Sequence, residues 1–300
     1  NIHITHVQFN SYSGESWVDI RSGAEEIANY VNKNSHVSLD AGQIDFGTAI
    51  TMTADAPFEF ALFHLSKWKW YGPEVENECA AGIVPFKYRR RNMVNVVQWC
   101  IGLEVMLLVK DPWRLVLTTD HPNGAPFTRY PKFIALLMSN KYREELMKKM
   151  NRRGLKRCVL PTIDREYDLY DIVKITRATP AKLLGIDKFK GHLGVGADAD
   201  IAIYDINPET IDFSREYEKV KEGFKRALYT IKDGEIVVKN GEIVKEVFGK
   251  TIAVKFKEDV DMEVVKDIEE KFKRYYTVSL SNYIVQEDEI SKLAYIYTDG

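Results

Sequence analysis

The sequence predicts an α/β fold built on a parallel sheet, followed by a small antiparallel β module. Three observations carry this. An apolar alternation over Asn1–Phe9, a helical stretch over Ser22–Asn32 and a second apolar run over His36–Leu39 make a strand–helix–strand unit, the pattern of parallel strands joined by a right-handed crossover. Leu115-Val116-Leu117 is a short apolar run that reads as a buried strand, with Asp120 just past its carboxyl end and Pro122 and Gly124 forcing a turn. Asp233-Gly234 and Asn240-Gly241 each interrupt alternating apolar residues, the strongest short-range signal for a hairpin.

In chain order, the first strand carries His3 and His6 near its carboxyl end. Their odd spacing puts them on opposite faces of a strand, so His3 reads as packing or as support for His6. Ser22 is the expected N-cap of the first helix, with Glu25 three residues on and Ile27, Ala28 and Val31 sharing a face. The second strand ends at Asp40-Ala41-Gly42. From Thr51 to about Arg91 the periodicity falls away, and Trp68, Trp70, Pro57, Pro73 and Pro85 accumulate. Such an insertion serves as a lid, a pocket wall or a partner surface. Its basic run Lys87–Arg91 reads first as a solvated face and second as a clamp for acidic substrate groups.

Asn92–Leu108 is expected as a buried helix leading into the strand before Asp120. Pro131–Met150 reads as a helix with a cationic end, and Asp168–Leu184 as another, bent or restarted at Pro180. Gly191–Gly196 has the look of a phosphate loop, but a strand pattern and not a helix follows it, which excludes the nucleotide reading. Asp200–Asp205, Tyr229–Val238 and Lys239–Val244 supply the β module, and the last forty residues alternate a charged helix with a strand at Tyr275–Val285. The expected domains are a partial barrel at 1–185 with an insertion at about 51–110, a β-sandwich module at 186–257, and a helix and strand extension at 258–300.

Three hundred residues suit about two domains. Forty-two Lys and Arg balance forty-four Asp and Glu, which gives no reason to expect nucleic acid or an anionic membrane as partner. No apolar run approaches the roughly 18 residues of a membrane span. The three cysteines, Cys79, Cys100 and Cys158, are widely spaced without a CxxC pair, which points to reduced cytoplasmic thiols and away from a cysteine metal site. The first residue is Asn1, inside an apolar alternation, so the chain is expected to be the later part of a longer polypeptide.

Asp120 and His121 stand where α/β folds place their chemistry, beyond the carboxyl end of a strand. An acid beside an imidazole there suits metal ligation or general base work; a turn or helix cap is the alternative use of Asp120.

Beyond these local readings, Thr119-Asp120-His121-Pro122, Thr176–Gly185 (TRATPAKLLG), Gly191–Ile201 (GHLGVGADADI) and Asp233–Gly241 together resemble the amidohydrolase superfamily. Within it, Trp70–Glu76 (WYGPEVE), Ala81–Pro85, Gln98–Glu104 (QWCIGLE), Thr119–Pro131 (TDHPNGAPFTRYP) and Tyr275–Tyr283 are similar to the A-subunit family of formylmethanofuran dehydrogenase. The A subunits of bacterial formyltransferase/hydrolase complexes share much of the pattern. The resemblance implies a TIM-like (β/α)8 barrel with a flanking β-sandwich, and two zinc ions. It implies hydrolysis or formation of the N-formyl amide between formate and methanofuran. It also implies partner subunits, one with tungsten or molybdenum.

Under that resemblance, Asp120 matches a zinc ligand that also takes a proton from the attacking water, and His6 matches the lone histidine ligand. By its chemistry His121 is expected beside the substrate oxyanion or behind a ligand. Asn123 and Arg129 are candidates for substrate contact, with turn chemistry the alternative for Asn123 and a bridge to a carboxylate elsewhere the alternative for Arg129. The first ligands of the superfamily, a His-x-His and a lysine, have no counterpart in this chain and are expected upstream of residue 1. The alternatives are an amidohydrolase acting on a cyclic amide, which the Trp- and Tyr-rich insertion disfavours, and a non-catalytic scaffold for the chain taken alone.

Overall fold

The computed structural model describes residues 1–16, 18–53, 64, 75–76, 81–256, 261–275 and 293–298. They fall into two compact units, one of residues 1–49 and 87–246, the other of 50–86 and 247–300. The described parts make an α/β chain.

The first unit is organised by a parallel sheet of three strands: β1 (Ile2–Ile4), β2 (Val37–Asp40) and β3 (Leu115–Val116), with β2 in the centre. Ile2, His3 and Ile4 pair with Val37, Ser38 and Leu39, and Leu39 and Asp40 pair with Leu115 and Val116. All four residues of β2 are buried, as expected for a strand covered on both faces. Helix α1 (Ala24–Lys33) makes the crossover from β1 to β2 and buries Ala24, Ala28 and Val31. Gly23, not Ser22, occupies its N-cap position, because the Ser22 hydroxyl is engaged with Glu104 while also accepting from the Ala24 amide at 3.2 Å.

Helix α2 (Met93–Leu108) is apolar over most of its surface and buries twelve residues, including Trp99 and the polar Asn95 and Glu104. Such a helix belongs in the middle of a core. It starts where the Asn92 side chain accepts from the Asn95 amide, an N-cap that satisfies one orphan donor. Trp99 stacks on Phe46 at 5.7 Å between ring centroids.

Several expected elements are shorter than the sequence pattern. The Asn1–Phe9 strand ends at Ile4, because His6 adopts a left-handed backbone and Val7–Asn10 turn into a 3-10 helix. Pro131–Met150 is two helices, α3 (Tyr130–Met138) and α4 (Asn140–Met147). They part at Ser139, whose extended backbone stops the first and whose hydroxyl caps the Tyr142 amide at 3.1 Å while donating to the Ser214 carbonyl. The Asp168–Leu184 stretch starts at the Asp168 cap and passes through a π-helical segment, Lys174–Ala178, before restarting with Pro180 in its first turn.

The β module is a four-stranded antiparallel sheet: β4 (Ile201–Ile203), β5 (Tyr229–Lys232), β6 (Glu235–Lys239) and β7 (Glu242–Ile243), in the order β7-β6-β5-β4. Asp233 and Asn240 take the positive φ that two-residue hairpin turns demand. In the second unit, Thr251–Phe256 pairs in parallel with Leu293–Thr298, and Met262–Tyr275 is the charged helix the sequence promised. The strand expected over Tyr275–Val285 falls largely outside the described residues, as do Trp68, Trp70 and Cys79. Lys87, Arg89 and Arg91 are exposed, which fits the solvated reading of the basic run. Among the described residues no helix is long and apolar enough to cross a membrane.

Candidate functional site

Three strands of one parallel sheet end side by side, and each delivers an ionisable side chain beyond its carboxyl end. β1 leads to His6, β2 ends on Asp40 and β3 leads to Asp120. His6 and Asp120 both hold left-handed backbones, φ 48° and 46°, a conformation that costs a non-glycine residue free energy and turns its side chain out of the ladder. The result is a facing pair: His6 Nδ1 lies 3.4 Å from Asp120 Oδ1.

The loop after β3 fixes Asp120 from both ends. Its carbonyl accepts from the amides of Asn123 and Gly124, and the Thr119 carbonyl accepts from Gly124 at 3.0 Å and Ala125 at 3.2 Å. The Asn123 side chain donates to Asp120 Oδ2. Asn123, expected against substrate, is therefore placed on the carboxylate, where it orients it. His121 precedes Pro122 across a cis peptide bond. It is exposed at the rim, its Nδ1 accepts the Phe127 amide at 3.1 Å, and its ring meets the Phe127 edge at 5.1 Å. Arg129 is half-exposed, with Nε 3.3 Å from Asp45 Oδ2. Asp45 is buried and also pairs with Lys132, whose ammonium is pushed below its usual range, chiefly by burial.

The sequence reading missed Asp40. It is buried, and it gathers the His6 amide (3.0 Å, to Oδ1), the Thr118 hydroxyl (to Oδ1) and His3 Nε2 (3.2 Å, to Oδ2). His3 and His6 thus converge on one carboxylate, against the expectation of opposite faces. The strand alternation that separates them ends at Ile4, and the turn at His6 swings its ring back. The available signal was positional: Asp40, like Asp120, closes a strand of the parallel sheet.

Tyrosines stand close by. Burial, then Tyr12 and the Asp120 carboxylate, push the Tyr88 phenol well above its usual range. Burial also raises Tyr130, opposed by a hydrogen bond with Thr119 and reinforced by Asp40. Both shifts favour the neutral phenol.

Gly42 seats His6. Its φ is +63°, and a Cβ there would lie 2.9 Å from the His6 Cβ. Gly42→Ala is expected to cost about 1–3 kcal/mol in urea unfolding, from backbone strain plus the clash with His6. An unchanged midpoint would show that the seat yields.

Two other clusters have metal-ligand chemistry. Cys100, Glu104 and Cys158 converge inside the first unit, a grouping that their wide spacing in the sequence did not suggest, and both thiols are free. Glu104 Oε1 accepts the Leu160 amide at 2.7 Å and Oε2 the Ser22 hydroxyl, so this carboxylate already ties helix to loops. Asp198, Asp200 and Asp233 surround Lys190, which with Lys232 neutralises them. The Lys190 pairing holds Asp200 down to about 2, against the opposing effect of burial.

The chain is similar to known proteins over most of its length. Residues 1–238 match the amidohydrolase family. The chain is 50% identical to the protein FwdA of Methanocaldococcus jannaschii over 299 residues, which are 99% of this chain and 52% of that protein. It is 38% identical to the A subunit of the formyltransferase/hydrolase complex of Methylorubrum extorquens over 267 residues, 87% of this chain and 47% of that one. A crystal structure of the complex from the same organism, with methylofuran bound, superposes with a TM-score of 0.77 at 33% identity, covering 99% of this chain and 53% of the solved one. The chain thus spans about half the length of the relatives it matches.

Proposed function

The chain belongs to the amidohydrolase family, and from that premise we propose that its protein breaks or forms the N-formyl amide between formate and methanofuran. It would do so with zinc, as the A subunit of a formylmethanofuran dehydrogenase with a tungsten or molybdenum partner subunit. The observation that carries this is the His6–Asp120 pair at the ends of parallel strands, in a chain half identical to FwdA. The proposed frame is a TIM-like (β/α)8 barrel with a flanking β-sandwich, to which the parallel sheet and the antiparallel module would contribute.

The donor set fits a zinc ion. Tetrahedral zinc holds nitrogen and oxygen ligands at about 2.0–2.2 Å, which separates two ligand atoms by about 3.4 Å, the spacing of His6 Nδ1 and Asp120 Oδ1. His6 and Asp120 would hold it, with the remaining ligands coming from outside this chain. Bound zinc polarises an amide carbonyl and lowers the pKa of its water towards about 7. Asp120 then serves as the base, one carboxylate oxygen taking the proton of the attacking water and returning it to the leaving amine. Asn123 keeps the other oxygen from rotating away. His121, exposed at the rim, donates to the carbonyl oxygen as charge gathers on it. Arg129, braced by Asp45, offers its remaining N–H groups to substrate.

A second reading, the A subunit of a bacterial-type formyltransferase/hydrolase complex, draws on the methylofuran-bound relative; it differs in partners and cofactor, not in the bond attacked. The test is formate release from an N-formyl amine by the full-length protein in its complex. Dialysis against a zinc chelator is expected to abolish release and added zinc to restore it. Undiminished release from metal-free protein would sink the zinc reading, and turnover of a cyclic amide in place of the formyl amine would sink the substrate.

A further inference from the structure

The proposed chemistry leaves one carboxylate at the strand ends without a role. Asp40 is 4% exposed, and among the described residues no lysine or arginine pairs with it; its ionic neighbours are the imidazoles of His3 and His6. Burying a carboxylate without a cation is costly unless every lone pair finds a donor. Here Oδ1 accepts the His6 amide and the Thr118 hydroxyl, and Oδ2 faces His3, itself held on its other ring nitrogen by Ser38 at 3.0 Å. The Thr118 hydroxyl is pinned in turn by the Gly42 amide at 2.8 Å. This carboxylate cannot turn.

Against it stands the ring of His6. Its two nitrogens face two carboxylates: Nδ1 faces Asp120 Oδ1 at 3.4 Å and Nε2 faces Asp40 Oδ1 at 3.8 Å. A neutral imidazole has one N–H and one lone pair, so one side must keep the proton. Asp120 is on the more open side, its side chain 25% exposed against 6% for Asp40. We infer that Asp40 is a positioning residue: it anchors the His6 main chain by accepting its amide, its charge 3.8 Å from Nε2 favours the proton on that nitrogen, and it thereby presents the Nδ1 lone pair to a metal shared with Asp120. The inference rests on the zinc reading above. A carboxylate behind a ligating histidine sets tautomer and orientation and raises the basicity of the ligating nitrogen, and its loss typically costs 10–100-fold in metal affinity. His3, on the other oxygen of the same carboxylate, supplies a further donor that keeps Asp40 in place.

The test is zinc affinity by chelator competition in the full-length protein, alongside the melting temperature of the metal-free form. Asp40→Asn keeps the shape, with its amide oxygen towards His6 and Thr118 and its NH2 towards His3 Nε2, which accepts it once the His3 proton sits on Nδ1 facing the Ser38 hydroxyl. The metal-free melting temperature should therefore stay close to wild type. The zinc Kd is expected to rise 10–100-fold. Thr118→Val removes the hydroxyl that donates to Asp40 and accepts the Gly42 amide but leaves the Asp40 charge and the His6 amide bond in place; it should lower the melting temperature and leave zinc affinity within about 3-fold. An unchanged Kd in Asp40→Asn overturns the inference. So does a Thr118→Val Kd that rises as far as that of Asp40→Asn, because zinc affinity would then follow general loosening of the strand end. Wild-type protein that fails to bind zinc would refute the underlying zinc reading, a result distinct from either of those.

Discussion

Asp120→Asn in the full-length protein is expected to lower kcat for formyl-amide hydrolysis by about 10²–10⁴-fold, the range that positioned general bases contribute. The substitution is nearly isosteric, and the loop around it is held by the main chain: the Asn123, Gly124 and Ala125 amides are satisfied by the carbonyls of Thr119 and Asp120, which the change leaves alone. Fold loss is therefore not the anticipated route. What goes is the charge that faces His6 at 3.4 Å and the capacity to accept a proton. If Asp120 is also a ligand, zinc affinity falls with the rate, and zinc added in excess restores occupancy without restoring kcat. Retention of wild-type kcat at full zinc occupancy would make Asp120 a turn residue and favour the scaffold reading of this chain. Asn123→Ala gives the graded companion: Asp120 keeps its charge and loses the partner of its second oxygen.

The second large effect lies in the core. Glu104 is fully buried on α2 and is the one ionisable carboxylate in that helix. It accepts the amide of Leu160 and the hydroxyl of Ser22, joining α2 to the segment before α1 and to the loop after Cys158. Glu104→Ala orphans those donors at about 1–3 kcal/mol each, and release of a buried charge offsets part of it. A net loss of about 2–4 kcal/mol is expected in urea unfolding; a loss below about 0.5 kcal/mol would mean that the loops find other acceptors.

Glu104→Gln separates the hydrogen bonds from the charge. Burial raises the Glu104 carboxyl above its usual range, while the bonds from Ser22, Leu160 and Val159 pull the other way without cancelling it. The folded state therefore binds the Glu104 proton more tightly than the unfolded state does. Its contribution to stability is greatest below the unfolded pKa of about 4.3, declines as pH rises through the elevated folded value, and levels off above it. Glutamine has no such slope. The stability of the Gln variant relative to wild type should accordingly increase with pH across that window, read from urea midpoints at a series of pH values. A flat or opposite difference would contradict a raised folded pKa.

Much of this protein is legible in the bare sequence, for local reasons. Alternation and 3.6-residue periodicity located β1, α1, β2 and α2, because burial of one face or of all faces leaves its mark on residue type. Asp-Gly and Asn-Gly located both hairpins, because few residues tolerate positive φ. Asp120 could be found because a proline and a glycine stop its strand within four residues. The boundaries were harder. Ser139 splits a continuous helical pattern by forming a cap, and His6 ends a strand by entering a left-handed turn, choices that depend on partners far away in sequence: Ser214 for the first and Asp40 for the second.

The amino-acid order alone determined the α/β class, the order of the elements and the acid–imidazole turn that follows β3. Only the tertiary structure decided that Asp40 is a hub, that His3 and His6 meet on it, that Asn123 holds Asp120, that Arg129 is braced by Asp45, and that Glu104 ties loops together. For Asp40 and Glu104 the physical reason is the same. Periodicity reports which face a residue turns to the core, whereas a buried carboxylate takes its role from the donors that the fold brings to it across 34 to 82 positions of chain, and no local pattern records those.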